Sequence, residues 1–332
     1  MLEVERTPAL LEATAPPERR GIARDGVRML VTDRETGVHE HTHFSDLPQF
    51  LRRGDLLVVN DSATLPAALR ARRRDGERLA LHVSTRIDEH LWTVEPRAAV
   101  VPGEVLRLDE SATVTMLTPV SDDSTRLWYA TFSLPLPMHA FLAKHGEPIR
   151  YAYSRERFPL ADYQTTFARV PGSAEMPSAA RPFTERVVRA LRQTGAAIAT
   201  ITLHCGVASV ESPERPPTER FDVPRKTADA VNAARQRGRK IVAVGTTVVR
   251  ALESAASNDG VSAASGWTDL VIEPGFRPHA VDAMLTGFHE PAATHLAMLR
   301  AFLSQEELNA AYAQAASAEY SMHEFGDIHA IL

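Results

Sequence analysis

KIVAVGTTVVRALES, residues 240–254, joins a buried strand to a helix through one glycine. Ile241 to Val244 are small or β-branched and uninterrupted by polar residues, the composition of a strand covered on both faces. Gly245 ends that run where the backbone must turn. Thr246 and Thr247 then cap a helix whose apolar positions, Val248, Val249, Leu252 and Ala255, recur at helical spacing, with Arg250 and Glu253 on another face. In an open α/β sheet such a turn gathers free amides and a positive dipole end at the carboxyl edge of a strand, where anionic or hydroxyl-rich ligands bind. It also serves as a plain capped core turn, and the pattern alone leaves both roles open.

Outward from this stretch, the same rhythm appears twice more. DLLVVND (55–61) reads as a buried strand presenting Asn60 and Asp61 at its end, and AAIATITLH (196–204) as a strand finishing on His204. Helices are expected over Thr184–Thr194, between Pro182 and Gly195, and over Thr227–Arg237. Further on, SNDGVSAASG (257–266) reads as a flexible loop, TDLVIEP (268–274) as a strand, 294–303 and 304–318 as helices, and the terminal run of FGDIHAIL as a strand. The proline-rich ESPERPPTERFDVP (211–224) reads as a loop. Nearer the start, Val27–Thr32 is an expected strand and Asp46–Arg53 a short helix.

Between these parts the texture changes. LALHVSTRI (79–87), HLWTVEPR (90–97), EVLRLD (104–109), ATVTMLTPV (112–120) and RLWYATFSL (126–134) are short alternating segments with almost no helical period, the mark of a small barrel or sandwich. The expected fold is therefore an open α/β sheet built from both ends of the chain, residues 1–63 and 149–332, interrupted by a β-barrel over 64–148.

The 332 residues carry a formal net charge of −5, which argues against a protein coated in nucleic acid. Locally, Arg70, Arg72, Arg73, Arg74, Arg78 and Arg86 make a basic surface that suits either a phosphate backbone or a solvated hairpin. Cys205 is the single cysteine, so an intrachain disulfide and a cysteine-built metal site are excluded and a reducing compartment fits. No membrane span or apolar signal core is apparent, and a cytoplasmic monomer is expected. His39, His41 and His43 alternate on one strand face, which rarely converges enough to hold a metal, and none is expected.

Several residues are placed to do chemistry. His204 ends a strand and His289 follows one, positions open to proton transfer or to a purely structural role. Asp61 and Asp327 stand at strand ends, where a carboxylate orients a ribose or an amine, or caps a turn. Tyr163 and Gln164, in DYQTTFARVPGS, offer stacking and hydrogen bonds to a base. No phosphate loop, dinucleotide glycine fingerprint or serine-hydrolase elbow is present.

KIVAVGTTVVRALES, DYQTTFARVPGS, ITLHCGV, MLTGFHEPAATHLAMLRAF, FGDIHAIL and RRGDLLVVNDS together resemble, in order and over nearly the whole chain, the S-adenosylmethionine:tRNA ribosyltransferase-isomerase family of queuosine biosynthesis. The resemblance implies an α/β domain interrupted by a small β-barrel. It also implies transfer of the ribosyl part of S-adenosylmethionine to 7-aminomethyl-7-deazaguanine in tRNA, isomerisation to an epoxycyclopentane, and release of adenine and methionine. Such chemistry needs a base at the 5′ carbon beside the sulfonium, a proton donor for adenine and a site for the amine. On this likeness His204, His289 and Asp327 are the expected catalytic residues. Gly245, Thr246, Thr247 and Arg250 would bind S-adenosylmethionine, and Asn60, Asp61, Tyr163 and Gln164 the acceptor. The chain departs from the family pattern where PTAGLHF becomes Pro177–Phe183, placing Ala180 and Pro182 where a glycine and a histidine stand. LTNFHLP carries Gly287 and Glu290, NDTRV becomes NDSAT, and a histidine- and tryptophan-bearing segment is shortened to Glu211–Phe221. These departures leave open an enzyme of the same fold with another nucleoside or amine acceptor, and a silent nucleoside- or RNA-binding protein.

Overall fold

The computed structural model describes residues 10–332 apart from 122–123, 155, 208–215 and 291–293. In chain order the main elements begin with β1 (Arg28–Thr32), β2 (His39–His43) and β3 (Leu56–Asn60). Then come β4 (Ala68–Arg72), β5 (Arg78–Arg86), β6 (Leu91–Pro96), β7 (Val105–Arg107), β8 (Thr113–Ser121), β9 (Ser124–Ser133) and α1 (Met138–His145). The remainder holds α2 (Glu185–Thr194), β10 (Ala197–Leu203), β11 (Glu219–Val223), α3 (Arg225–Gln236), β12 (Ile241–Val244) and α4 (Thr246–Ser254). It closes with β13 (Ala264–Thr268), β14 (Ala283–Gly287), α5 (Thr294–Leu299), α6 (Gln305–Ser317) and β15 (Ile328–Ile331).

Nine strands form one mixed sheet in the order β13-β11-β10-β3-β12-β14-β15-β1-β2. Its centre is parallel, with β10, β3, β12 and β14 paired side by side in one direction. Alternate residues feed opposite faces, as strand geometry requires. Leu56 and Val58 pack under α3, α4 and α6, while Leu57 and Val59 pack against α2 and the 44–51 segment. The uninterrupted apolar composition of these strands is thus explained by helices on both sides. Pairing of Met29 with Ile328 joins the early strands to the terminal one, so the sheet is indeed drawn from both ends of the chain.

Strands β4 to β9 close into a six-stranded antiparallel barrel, ordered β8-β9-β6-β5-β4-β7. Leu69, Leu81, Val83, Val94, Leu106 and Val114 fill its interior, and Phe141 and Leu142 of α1 pack on the same core. The chain enters and leaves through adjacent segments, since Ser62–Thr64 pairs in parallel with Val170–Ser173 and Ala68 bridges to Glu147.

Three expectations need correction. The strand expected at 268–274 lies instead at Ala264–Thr268, overlapping the end of the stretch read as a flexible loop, and pairs along β11. Gly266 is extended there and small residues suit an edge strand, whereas the apolar Leu270 and Ile272 enter the core without pairing. Likewise the proline-rich 211–224 stretch ends in β11, whose Phe221 and Val223 point inward and whose Arg220 and Asp222 point out. Its residues 211–215 lie outside the described residues. The helix expected over 46–53 is a short 3₁₀ segment, Phe44–Phe50.

Candidate active site

A cleft opens at the carboxyl ends of the parallel strands, between the sheet and the barrel. Cys205 and Gly206 follow β10, Gly245, Thr246 and Thr247 follow β12, and Phe288 and His289 follow β14. This is the edge where α/β sheets bind ligands, because helix N-termini and strand-end loops converge there. Gly245 sits at φ 93°, a left-handed conformation costly for any residue with a side chain, and it starts α4 directly beneath the cleft. The start of an α-helix is where backbone amides lack i−4 partners, and Thr246 and Thr247 line the cleft there.

One wall is fully satisfied. Arg250, 4% exposed, pairs with Glu219 and donates to the carbonyls of Leu270, Pro217 and Thr268, so its guanidinium braces the wall. Glu219 also accepts from the amide of Gly206 at 2.8 Å. Glu253, a turn after Arg250, receives the amides of His279, Ala280 and Val281 and fixes that loop. From the barrel side Arg126 reaches the cleft, held by Glu95 at 3.0 Å.

The opposite wall and floor hold residues that sequence reasoning passed over. Tyr151 donates to Glu175, and Tyr153 donates to Glu324 at 2.8 Å while stacking on His323 with ring centres 3.8 Å apart. Burial pushes the Glu324 carboxyl up to about 7, against the pull of the Tyr153 hydroxyl and Arg181. Burial and the facing carboxylates raise both tyrosines above the ordinary phenol range. These five residues come from three separate segments, which is why no local pattern announced them. The aromatic alternation of Tyr151-Ala152-Tyr153 and the acid beside FGD were the available signals.

The expected site residues divide. Gly245, Thr246, Thr247, Arg250 and His289 line the cleft. His289 Nε2 lies 3.0 Å from Thr286 Oγ1, and its amide donates to Tyr312. His204 is not among the lining residues; its Nδ1 bonds Ser62 Oγ, which in turn bonds Ser173 Oγ, and its ring fills the space beside Gly172. Burial, with Arg220 nearby, lowers its pKa. Asn60 is wholly buried, donating to Leu203 O and Thr247 Oγ1 and accepting the amides of Ser62 and Leu203, so it ties β3, β10 and α4 together. Asp61 accepts from Thr202. Gln164 pairs both ends of its amide with the backbone of Thr64, and Tyr163 packs on Phe325. Asp327 accepts the amides of Arg28 and Ser321 and pairs with the Arg28 side chain.

On β2, His39 bonds Thr32 and His41 lies by Tyr320. Among the described residues no three metal-ligating side chains gather. No helix among them is long and apolar enough to cross a membrane. On the barrel surface Arg72, Arg74, Arg78 and Arg86 are exposed, whereas Arg70 pairs with Glu147 and Arg73 with Glu77 and Glu104.

The model of the queuosine biosynthesis protein family matches residues 6–331. The chain belongs to that family. Relatives share it end to end. The S-adenosylmethionine:tRNA ribosyltransferase-isomerase of Moorella thermoacetica is 39% identical, with 93% of this chain and 94% of that one aligned. The protein of the same name from Thermus thermophilus is 36% identical over 96% and 97%. Among solved structures, the S-adenosylmethionine tRNA ribosyltransferase of Thermotoga maritima is 29% identical, covers 98% of this chain and 99% of its own, and superposes with a TM-score of 0.57. Family and fold therefore agree with the sequence resemblance, including the inserted barrel.

Proposed function

We propose that this queuosine-family enzyme transfers and isomerises the ribosyl group of S-adenosylmethionine onto 7-aminomethyl-7-deazaguanine in tRNA, releasing adenine and methionine in the cytoplasm. The observation that carries the reading is the charge of the cleft. Glu175, Glu290 and Glu324 face it, while the cations Arg250 and Arg126 are engaged with Glu219 and Glu95. An acidic cleft with aromatic faces suits a sulfonium nucleoside and an amine, and would repel a free nucleotide. In this reading the start of α4, with Gly245, Thr246 and Thr247, receives the hydroxyl-rich part of S-adenosylmethionine, and Arg250 keeps that wall in shape. His289, which lines the cleft beside Thr286, is the candidate proton donor to adenine. Asn60, Asp61, Tyr163, Gln164, His204 and Asp327 hold the strand ends and turns around it. The barrel, residues 64–148, would carry tRNA along its exposed arginines.

The test is incubation with S-adenosylmethionine and tRNA bearing the aminomethyl-deazaguanine base. Free adenine and methionine are expected, with S-adenosylhomocysteine absent. His289→Asn should lower kcat by about a hundredfold with little change in cofactor binding, the range of one proton-transfer group. His204→Asn should leave turnover within a few-fold. Adenine release only with a different acceptor would keep the chemistry and reject the tRNA base.

A further inference from the structure

The turn 323–326 is held so that it must face the cleft. Asp327 grips the amides of Ser321 and Arg28 at 2.8 Å each, and a Cβ on Gly326 would run into the carbonyls of Ser321 and Met322. His323 is pinned at φ 74°, rare for a residue with a side chain, and strain of this kind concentrates at working sites. The result is that Glu324 is aimed inward. Tyr153 fixes its Oε2, whereas Oε1 has neither a hydrogen-bond partner nor contact with solvent. The residue as a whole is of intermediate exposure.

Among the described residues, other buried carboxylates have both oxygens served. Glu219, Glu253, Asp327 and Glu95 each accept at both atoms. An acid kept only for structure gains nothing from a sealed, unpaired oxygen, which costs about 1–3 kcal/mol. Moreover, Pro182 and Gly287, two positions where the chain departs from its family's motifs, line one small cavity together with Glu324, His323, Arg181 and Ser178. Side chains with hydrogen-bonding groups are lacking at those two positions beside the carboxylate.

We infer that Glu324 is the base that removes a C5′ proton from the sulfonium nucleoside in the cleft, with Tyr153 as its positioning residue. The inference rests on the functional reading above. In the step, the C5′–H bond breaks, its electron pair stays on the carbon beside the positive sulfur, and the proton passes to Oε1 while Tyr153 keeps its bond to Oε2. The charged and titratable groups around this carboxyl are Arg181, Tyr153, Tyr151, Tyr163 and His323, with Glu290 beyond His323. Burial lowers the pKa of His323 from its ordinary value.

Two measurements on the full chain test this. In calorimetry with S-adenosylmethionine, wild-type affinity should rise about tenfold from pH 5.5 to 8.5 as a carboxylate forms near the sulfonium, the size of one partly screened ion pair. Glu324→Gln should flatten that profile while its melting temperature shows it folded. With tRNA present, the same variant should lose at least a hundredfold in adenine release and in exchange of the C5′ hydrogens with heavy water, and Glu324→Asp should restore part of both. A pH-independent wild-type affinity, or a Glu324→Gln enzyme with wild-type turnover, overturns the assignment and leaves the functional reading standing. A pH-dependent affinity abolished by Glu324→Gln, without adenine release from any tRNA, keeps Glu324 at the sulfonium and defeats the functional reading instead.

Discussion

Glu95 in the barrel and Glu324 at the floor of the cleft are both drawn out of water, and burial alone would raise both carboxyls. They end on opposite sides of the ordinary glutamate value. Glu95 is met by His82 at 2.8 Å and by Arg126 and Arg97 at 3.0 and 3.3 Å, and these partners hold it below that value. Glu324 has one phenol and a more distant arginine, so desolvation prevails and its carboxyl rises to about 7. The lesson is that burial does not itself make an acid reactive; what matters is whether the fold supplies enough donors to hold the charge. The barrel supplies them, and the cleft withholds them.

Breaking the satisfied site should give the largest effect. Glu95→Ala removes the acceptor that buried His82 shares with Arg126 and Arg97, and a loss of about 3 kcal/mol is expected from the urea midpoint. Because the Glu95 carboxyl is depressed, its contribution is fully present above the unfolded value near 4.3 and is lost as pH falls through the lower folded value. A variant as stable as wild type at pH 7 would dissolve the contrast between the two sites.

Glu324→Gln should do the reverse. Its folded pKa is raised, so the folded state holds a proton that the unfolded chain has already released, and wild-type stability declines between about pH 4.3 and 7. The amide removes this decline, so the variant should exceed wild type by on the order of 1–3 kcal/mol at pH 8 and match it at pH 4.5. Thermal melts at the two pH values check the sign. The smallest effect belongs to Tyr153→Phe, which removes one hydrogen bond worth about 1 kcal/mol and should move the rising limb of the pH–rate profile upward by under one unit.

Much of this architecture could be read from the chain because burial leaves a mark on composition. Ile241–Val244 and Leu56–Val59 are apolar on both faces since helices cover both, and the alternating segments between residues 79 and 134 belong to a barrel with one wet face. Edge strands leave a weaker mark. Ala264–Thr268 is half small residues and was legible only as a loop, since its partner β11, not its own apolarity, holds it in place. The cleft was legible where one stretch supplies it, as at Gly245 to Thr247, and illegible where distant segments meet. His204 and Gln164 stand in recognisable motifs, and in the fold His204 Nδ1 bonds Ser62 while the Gln164 amide bonds the backbone of Thr64. A polar residue at a strand end looks alike in sequence whether it faces a ligand or a neighbour.

The pairing of β1 with β15 has a kinetic consequence. Met29 waits for Ile328, a separation close to the longest this chain can have, whereas every barrel pairing lies within residues 68–133. Closing short loops is faster than closing long ones, so the barrel should acquire its native pairings while the outer sheet is still a collection of unpaired edges. β14 and β1 then meet only through β15, which makes this four-residue strand the keystone of assembly and its absence during synthesis the interval of greatest exposure to aggregation.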